Sequence, residues 1–427
     1  MNHFIPINKI SASVSTCLKS GLFDPIVDTS IVFYDFSHLK HKIELLKEAF
    51  PINTFHTAAV KANPLDEVLK FTNKLELGAE VASEGELYLA QKSGFKNQKI
   101  VFDSPAKTYN ELEFALKNNI QINADSLMEI DRIAKIKKNT TSISKIGLRI
   151  NPQVGYGKIE STSLAGEYSK FGVPIKSHLQ EIIDYYVKYD WLIGVHLHIG
   201  SQGCEMEMLI NGIESGLKLI VEINKKIKSQ NREIIFLDIG GGLPISYHHD
   251  IAPTGMTDYG NKIKDLLAFF NLENMHIVTE FGRFLHANSG FIVSKVEYVK
   301  HYENSNTLII HSGADMLLRE CLNPGNWYHE ITLLNSKGEL KQNKSKINYH
   351  IAGPLCFAND IIARNIELPE AQEGDYLVIH DSGGYTFGMW SKYVSRNFPK
   401  VIAYDDDKYK IIRKRETPED ILKFWSF

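Results

Sequence analysis

The stretch His-Thr-Ala-Ala-Val-Lys-Ala-Asn-Pro, residues 56–64, begins the pattern that decides the fold. A short apolar run ends at Lys61, and Asn63-Pro64 then stops the strand, because proline cannot donate to a strand ladder. A lysine at the buried end of a strand is costly unless it has a function, since burial disfavours the ammonium form. Such a lysine is also an amine ready to form a Schiff base. We therefore predict a functional Lys61; the alternative is a lysine whose head reaches solvent.

Outward from this unit, short β-like runs alternate with helical patterns between residues 37 and 285. Eight such units over about 250 residues are the size of a (β/α)8 TIM barrel. A doubly wound sheet is the structural alternative, but eight successive units favour closure. Helical patterns lie between the runs, for example over 84–92, 110–118 and 206–228. The predicted strands cover 54–61, 78–83, 99–103, 121–125, 145–150, 192–199, 234–239 and 276–280.

The pattern changes beyond the barrel, where strand-like runs follow one another with little helix between them. This order is typical of a β-rich domain. We predict a barrel domain over 37–285 and a C-terminal β-rich barrel or sandwich domain over 286–427, which the N-terminal segment 1–36 joins. The β-like runs are 30–34, 290–299, 306–311, 346–351, 376–379 and 401–404.

Composition narrows the class of protein. The chain has 427 residues, 43% of them hydrophobic and 23% charged, which suits a two-domain globular protein. A net charge of −3 without a basic block makes nucleic acid and anionic membrane unexpected partners. No run has the length of a membrane span, and the N-terminus lacks the apolar core of a signal peptide. Four scattered cysteines predict no metal site and a reducing, cytoplasmic location: Cys17, Cys204, Cys321 and Cys356.

Polar residues cluster at the C-terminal ends of the predicted barrel strands. Active sites of TIM barrels lie at these ends, in the loops that follow each strand. We therefore expect one site there, formed by residues far apart in the chain. Its candidates are Lys61, Glu80, Ser83, Glu86, His196, His198, Ser201, Asp238, Gly240, Gly241, Gly242, Glu280, Gly282 and Arg283.

The glycines of this cluster predict a phosphate site. Gly240-Gly241-Gly242 follows the seventh strand, where backbone N–H groups without side chains can approach a phosphate. Ser201 and Arg283 are expected nearby, and an arginine supplies a fixed positive charge. Three glycines alone usually mark only a tight turn.

A phosphate site with a Schiff-base lysine suggests pyridoxal 5′-phosphate (PLP). PLP also needs a group at its pyridine nitrogen. Glu280 suits that position, because a carboxylate keeps the nitrogen protonated and the ring a strong electron sink. The alternative for Glu280 is a salt bridge to Arg283. His198 could stack on the ring; an ordinary core histidine is its alternative.

These residues together resemble the fold-type III PLP decarboxylases, which include the diaminopimelate, ornithine and arginine decarboxylases. The resemblance covers nearly the whole chain and is closest to the diaminopimelate branch. It implies an alanine-racemase-like barrel, PLP as cofactor, an amino-acid substrate and a carboxy-lyase activity in amino-acid metabolism. Its motifs are AVKANP (59–64), GAEVASEGEL (78–87), SKFGV (169–173), HLHIGSQ (196–202), DIGGGLP (238–244), EFGR (280–283), GPLC (353–356) and DSGGY (381–385).

The resemblance also implies the role of each residue. Lys61 would hold the cofactor covalently, and Cys356, from the partner subunit of a homodimer with shared sites, would protonate the product. Cofactor binding is expected from Lys61, Glu80, His198, Ser201, Gly240, Gly241, Gly242, Glu280, Gly282, Arg283 and Tyr385. Substrate binding is expected from Arg283, Arg319, Asn323, Phe357 and Tyr385.

The chain departs from the family pattern at positions that concern the substrate. Phe357 stands where the diaminopimelate and ornithine enzymes have an acidic residue that meets a distal amine. Asn323 stands where a tyrosine is expected four residues after Arg319, and Glu80 replaces an aspartate. Phenylalanine cannot pair with an ammonium, whereas Arg319 can still pair with a carboxylate. The expected substrate is meso-diaminopimelate or a related amino acid with a distal carboxylate or a carrier-linked group.

Two other functions remain as alternatives. An amino-acid racemase could use a similar barrel, but Glu280 argues against it, because the racemases that resemble this barrel place an arginine at the pyridine nitrogen. A catalytically inactive regulatory homologue is the second alternative, and the retained Lys61 and Cys356 argue against that.

Overall fold

The computed structural model describes residues 3–252, 255–303, 305–342 and 345–426. The chain divides into two units. The barrel unit comprises Lys42–Ile245 and Pro253–Phe284. The β unit comprises Met1–His41, Ser246–Ala252 and Leu285–Phe427.

The barrel unit is a closed ring of eight parallel strands, which confirms the predicted TIM barrel. Each strand pairs with its predecessor, and the last pairs back onto the first, with Glu280 opposite Thr57. Closure leaves no exposed strand edge and brings all eight C-terminal ends to one rim. The strands are Phe55–Ala59, Gly78–Val81, Ile100–Asp103, Gln121–Ala124, Ile146–Asn151, Leu192–His196, Phe236–Asp238 and His276–Phe281.

Helices alternate with these strands and begin at residues suited to capping. The side chains of Ser83, Thr108 and Ser126 each accept a hydrogen bond from a backbone N–H in the first turn of the helix that follows. Such caps satisfy donors that have no partner inside the helix. The helices are Phe36–Ala49, Asp66–Lys74, Glu84–Lys92, Tyr109–Lys117, Leu127–Lys137, Ile175–Lys188, Met206–Ile227 and Met256–Phe269.

The first barrel strand is shorter than its apolar pattern predicts. It ends at Ala59, and Val60–Ala62 forms one turn of 3-10 helix that contains Lys61. The Lys61 side chain is 39% exposed, so the expectation of a lysine at a buried strand end is wrong. The turn instead lifts the lysine out of the strand and directs it to the rim.

One aromatic ring fills much of the barrel interior. Phe236 is fully buried and packs with Val101 and Val278 from other strands. A Cβ on Gly194 would lie 2.0 Å from the Phe236 ring, and one on Gly147 3.1 Å from it. The two glycines therefore make room for the ring.

The β unit contains a mixed nine-stranded sheet. Ser30–Asp35 lies within it, antiparallel to Gly290–Tyr302 and parallel to Lys400–Asp405. The fully buried burial pattern of Ser30–Asp35 explains its central position. The remaining strands are Ser305–Ile310, Ile331–Leu334, Lys346–Ala352, Ile361–Pro369, Tyr376–Ile379 and Lys408–Arg413.

Several elements of the β unit were missing from the sequence-based prediction. The strands Ile361–Pro369 and Lys408–Arg413 carry exposed polar residues through much of their length, which hides the apolar signal. The short strand Ile331–Leu334 and the N-terminal helix Ile7–Ser20 were also missed. Further short helices are Leu318–Leu322 and Pro418–Trp425 in this unit, and Arg283–His286. In the described part of the chain, no helix combines the length and apolar character needed to cross a bilayer.

We predict that Phe236→Ala destabilises the barrel strongly. Removing a buried phenylalanine ring costs about 3–5 kcal/mol, because the two glycines beneath it cannot fill the cavity. The thermal midpoint of the apoprotein should fall by roughly 6–20 °C in calorimetry. Phe269→Ala is the control, since that ring is 75% exposed and its loss should change the midpoint little. Equal shifts for both variants would contradict this account of the core.

Candidate active site

Lys61 is held at the barrel rim by Glu80. The Lys61 Nζ donates a hydrogen bond to Oε2 of Glu80, which lies in the second strand and is fully buried. Burial raises the pKa of Glu80, and the charge of Lys61 opposes that rise. The other Glu80 oxygen, Oε1, is buried without a hydrogen-bond partner among the described residues. The pair fixes the amine while leaving it accessible from solvent.

His198 and the three glycines lie side by side. The Gly241 backbone N–H donates to His198 Nδ1 at 3.1 Å, so Nδ1 is an acceptor and the imidazole is neutral. Burial and then the charge of Arg149 lower the pKa of His198 to about 3. Gly240 and Gly242 have φ values of 64° and 103°, which favour glycine. A neutral, half-buried imidazole suits stacking on an aromatic ring.

The glycine turn also lacks room for side chains. A Cβ on Gly241 would lie 2.5 Å from the carbonyl oxygen of Glu280, and one on Gly242 2.3 Å from that of Gly200. Beside the turn, Arg283 Nε donates to Ser201 Oγ at 3.3 Å. The sequence prediction that Ser201 and Arg283 lie close together is thus met by geometry. Gly282 precedes Arg283 and is buried.

Glu280 is buried at the end of the eighth strand. Its Oε2 lies 3.6 Å from His196 Nε2, and its Oε1 is buried without a hydrogen-bond partner among the described residues. Burial alone would raise the pKa of Glu280, but the charge of His196, with a smaller contribution from that of Lys61, lowers it. An ionised carboxylate with one open oxygen can accept a hydrogen bond from a ligand.

The side chains of Ser83 and Glu86 accept hydrogen bonds from backbone N–H groups near the end of the second strand. Ser83 caps the following helix, and Glu86 Oε2 accepts a hydrogen bond from the Ala82 backbone N–H at 2.7 Å. Burial raises the pKa of Glu86. These two residues therefore shape the rim next to Lys61.

The prediction missed three charged residues of the rim. Arg149 lies 3.3 Å from Asp103 and 3.7 Å from Asp125, and all three are buried. The Arg149 guanidinium also lies 4.4 Å from the centre of the Phe171 ring, within the SKFGV segment. A charged residue inside an apolar strand pattern, as at Arg149, is the sequence signal that could have identified them.

The rim has the features that PLP requires. The accessible Lys61 amine fits an aldehyde, and the neutral His198 fits an aromatic ring. The glycine turn beside Arg283 fits a phosphate. The buried Glu280 Oε1, which has no hydrogen-bond partner within the described part of the chain, fits a pyridine nitrogen. When bound, PLP supplies an electron sink for the electrons released at the α-carbon of an amino acid.

Within the β unit, Arg319 is held by aromatic side chains. Its guanidinium lies 4.2 Å from the centre of the Trp327 ring and 5.6 Å from that of Tyr385. It also donates a hydrogen bond to the Tyr385 backbone carbonyl. Tyr385 has φ of 58°, a conformation uncommon outside glycine and often found at functional sites. Asn323 caps the short helix that carries Arg319, accepting from Asn326 Nδ2 at 2.9 Å.

Cys356 and Phe357 lie on an exposed loop of the β unit. Cys356 is exposed, and its carbonyl accepts a hydrogen bond from Tyr393 at 2.9 Å. Phe357 is 36% exposed. The buried carboxylate of Asp360, which the prediction missed, accepts hydrogen bonds from the Leu355 and Ala314 backbone N–H groups, both at 2.6 Å. Asp360 thus fixes the loop, and the exposure of Cys356 shows that it is not a buried structural cysteine.

Known proteins share this barrel and its motifs. The family of the pyridoxal-dependent decarboxylase, pyridoxal binding domain, matches residues 36–287. Diaminopimelate decarboxylase of Aquifex aeolicus is 31% identical over 400 residues, which are 92% of this chain and 91% of that protein. The enzyme of the same name from Helicobacter pylori is 32% identical, over 92% of this chain and 95% of its own.

Solved structures of diaminopimelate decarboxylases are also similar to this chain. The crystal structure of Helicobacter pylori diaminopimelate decarboxylase complexed with L-lysine has a TM-score of 0.84 and 30% identity, over 95% of this chain and 99% of that one. The crystal structure of diaminopimelate decarboxylase from M. jannaschii in co-complex with L-lysine has a TM-score of 0.84 and 28% identity, over 96% of this chain and 93% of that one.

Barrel, site and relatives together define a PLP-dependent carboxy-lyase acting on an amino acid. The chain belongs to the pyridoxal-dependent decarboxylase family, and its chemistry is like that of diaminopimelate decarboxylase. The sequence-based expectations of family, cofactor and reaction class are therefore confirmed.

We predict that Lys61→Ala abolishes covalent attachment of PLP. The variant should lose the visible absorbance band of the holoenzyme, and turnover should fall by roughly 10³-fold or more. Borohydride reduction followed by peptide mass spectrometry should find PLP on Lys61 in the unmodified protein alone. Lys70→Ala is the control, because that lysine is on an exposed helix surface. Borohydride-trapped PLP on the Lys61→Ala protein would place the attachment elsewhere.

Proposed function

We propose that this enzyme decarboxylates an amino acid whose distal end carries a carboxylate, such as meso-diaminopimelate, or is linked to a carrier. The observation that carries the proposal is the orientation of the Arg319 cation by Trp327 and Tyr385, and it is supported by the apolar residue at position 357, on the Cys356 loop. A planar guanidinium held by two rings is prepared for bidentate binding of a carboxylate.

Phe357 argues against a substrate with a distal ammonium. A buried ammonium left without a partner is heavily penalised. Ornithine, lysine and arginine end in a cation, which neither Phe357 nor Arg319 can pair with. They should therefore be poor substrates. A substrate whose distal end carries only a carboxylate, or is a neutral link to a carrier, avoids that penalty. The distal end of meso-diaminopimelate carries an ammonium beside its carboxylate, so Arg319 can pair with the carboxylate while the ammonium lacks a partner at Phe357, and we expect only modest activity on it.

At the barrel rim, the chain's own residues hold the cofactor in one orientation. We assign covalent attachment to Lys61, stacking to His198, and the pyridine nitrogen to Glu280. The phosphate is assigned to Ser201, Arg283 and the glycine turn of residues 240–242. The low pKa of Glu280 supports its position, because only an ionised carboxylate keeps the ring nitrogen protonated.

The substrate is assigned to residues of both units, as the family resemblance implies. Arg283 and Arg319 would bind its distal carboxylate, with Asn323 and Phe357 at the same end. Tyr385 would contact cofactor and substrate. Cys356 Sγ would give the α-carbon the proton that replaces the departing carbon dioxide, so that one C–C bond breaks and one C–H bond forms.

A homodimer with shared sites follows from the assignment of Cys356 to the partner's cofactor. The exposure of Cys356 and the rigid Asp360-fixed loop support this assignment, because the thiol is available to another chain. We propose a cytoplasmic enzyme, in which four free thiols would persist. Racemase activity is disfavoured by a carboxylate at position 280.

We predict that Phe357→Glu raises kcat/KM for meso-diaminopimelate relative to the unsubstituted enzyme. The added carboxylate supplies a partner for the distal ammonium, worth about 1.5–3 kcal/mol as a charge-assisted hydrogen bond, hence roughly 10-fold or more. Carbon dioxide release is measured across meso-diaminopimelate, ornithine, lysine and amino acids with only a distal carboxylate.

Phe357→Gln is the matched control for that experiment. Glutamine has the size of glutamate without its charge, so it should give little of the gain. Efficient turnover of meso-diaminopimelate by the unsubstituted enzyme, near the roughly 10⁴ M⁻¹s⁻¹ that competent enzymes reach, would show that Phe357 does not mark a changed substrate preference.

We predict that mixing two inactive variants restores activity. Lys61→Ala and Cys356→Ala subunits would combine into hybrids with one intact and one doubly defective site. After random exchange, half the dimers are hybrids, and each hybrid has one intact site out of two. Activity should therefore reach roughly a quarter of that of the unsubstituted enzyme. Size-exclusion chromatography with one tagged variant verifies exchange. If exchange occurs and activity stays absent, the site is not shared.

A further inference from the structure

A chain of alternating charges runs across the barrel rim from Glu280. Glu280 Oε2 lies 3.6 Å from His196 Nε2, and His196 Nδ1 lies 3.7 Å from Asp103 Oδ1. Asp103 then pairs with Arg149 at 3.3 Å, and Arg149 with Asp125 at 3.7 Å. These residues are all buried. Negative and positive groups therefore alternate along this row of five side chains.

The position of His196 fixes its protonation state. A neutral imidazole has one N–H donor and one acceptor, whereas both nitrogens of His196 face carboxylate oxygens. The two separations, 3.7 and 3.6 Å, are longer than hydrogen bonds, but a lone pair that faces a buried carboxylate is repelled, so these surroundings favour the doubly protonated imidazolium. Burial opposes this charge, but Asp103, Glu280 and Asp238 outweigh it and raise the pKa of His196 to about 9.

The row of charged side chains also reaches the SKFGV segment. Arg149 lies over the Phe171 ring, and the Gly172 backbone N–H donates to Asp125 Oδ1 at 3.3 Å. Burial would raise the pKa of Asp103, but Arg149 and then His196 lower it well below its usual range. Arg149, whose guanidinium group always carries a charge, therefore compensates the carboxylates of Asp103 and Asp125 at the end of the row away from Glu280.

We propose that His196 is a positioning residue, a permanent imidazolium that holds Glu280 ionised and aimed at the pyridine nitrogen of PLP. This rests on the proposed orientation of the cofactor. Asp103 acts through His196, keeping it protonated and in place. The ligand atoms of Asp103, His196 and Glu280 lie within 4.8 Å of one another, as in a metal site. An imidazolium has no lone pair for a metal, however, and its charge already balances its carboxylate neighbours.

The test compares PLP with 1-deaza-PLP, in which a C–H group replaces the ring nitrogen. The affinity of the apoprotein for each cofactor is measured by fluorescence titration without substrate. The unsubstituted protein should prefer PLP by roughly 10–150-fold, the value of one charge-assisted hydrogen bond. In His196→Gln this preference should fall by about tenfold or more, and Asp103→Asn should lower it in the same direction.

Two controls separate positioning from folding. Glu280→Gln should remove the preference as His196→Gln does, and the double variant should add little, because the residues act as a unit. His56→Gln replaces another buried barrel histidine, which bonds Thr279 outside the chain of charges, and should leave the preference unchanged.

The outcomes divide as follows. An equal loss of affinity for both cofactors in His196→Gln and Asp103→Asn would mean a merely structural role and overturn the proposal. So would an intact preference in both variants, or one equivalent of bound metal that the apoprotein loses on either substitution. If Glu280→Gln keeps the preference, the pyridine assignment fails and the proposal with it. Failure of the proposed substrate class would leave all these affinities unchanged.

Discussion

Buried charge at the C-terminal rim of the barrel is the constraint on which the site depends. Glu80, Asp103, Glu280 and Arg149 are all withdrawn from water, and each would be strongly destabilising alone. Closure of the barrel reduces this cost, because it places side chains of opposite charge from different strands next to each other. Removing one partner would leave another charge uncompensated, so these residues can only be retained as a set.

The same pairing prepares the site for chemistry. His196 leaves Glu280 ionised in a place where a solitary carboxylate would become neutral, while burial and then the charge of Arg149 leave the His198 imidazole neutral. Two histidines two residues apart on the same strand end thus have opposite charge states, set by the burial of each ring and by the charged groups near it. A rigid barrel keeps these environments distinct, because its strands cannot shift to equalise them.

The proposed substrate specificity depends on a different part of the molecule. Arg319, Tyr385 and Phe357 lie in the β unit, on a short helix and on loops. Loops tolerate substitution better than barrel strands do, because fewer buried contacts depend on them. The changes at 323 and 357 are therefore compatible with an unaltered cofactor site. This explains how a chain can keep the family's chemistry while its substrate receptor differs from the pattern.

The sequence by itself determined the barrel, the cofactor and the reaction class, because strand periodicity and the motifs around Lys61, the glycine turn and Glu280 are local signals. It misjudged the surroundings of Lys61, since a 3-10 turn after a strand has no apolar pattern of its own. It missed Asp103 and Arg149, whose meaning comes from neighbours on other strands. Only closure of the barrel brings His196 between Asp103 and Glu280, because sequence spacing cannot report a distance between strands nearly 180 residues apart.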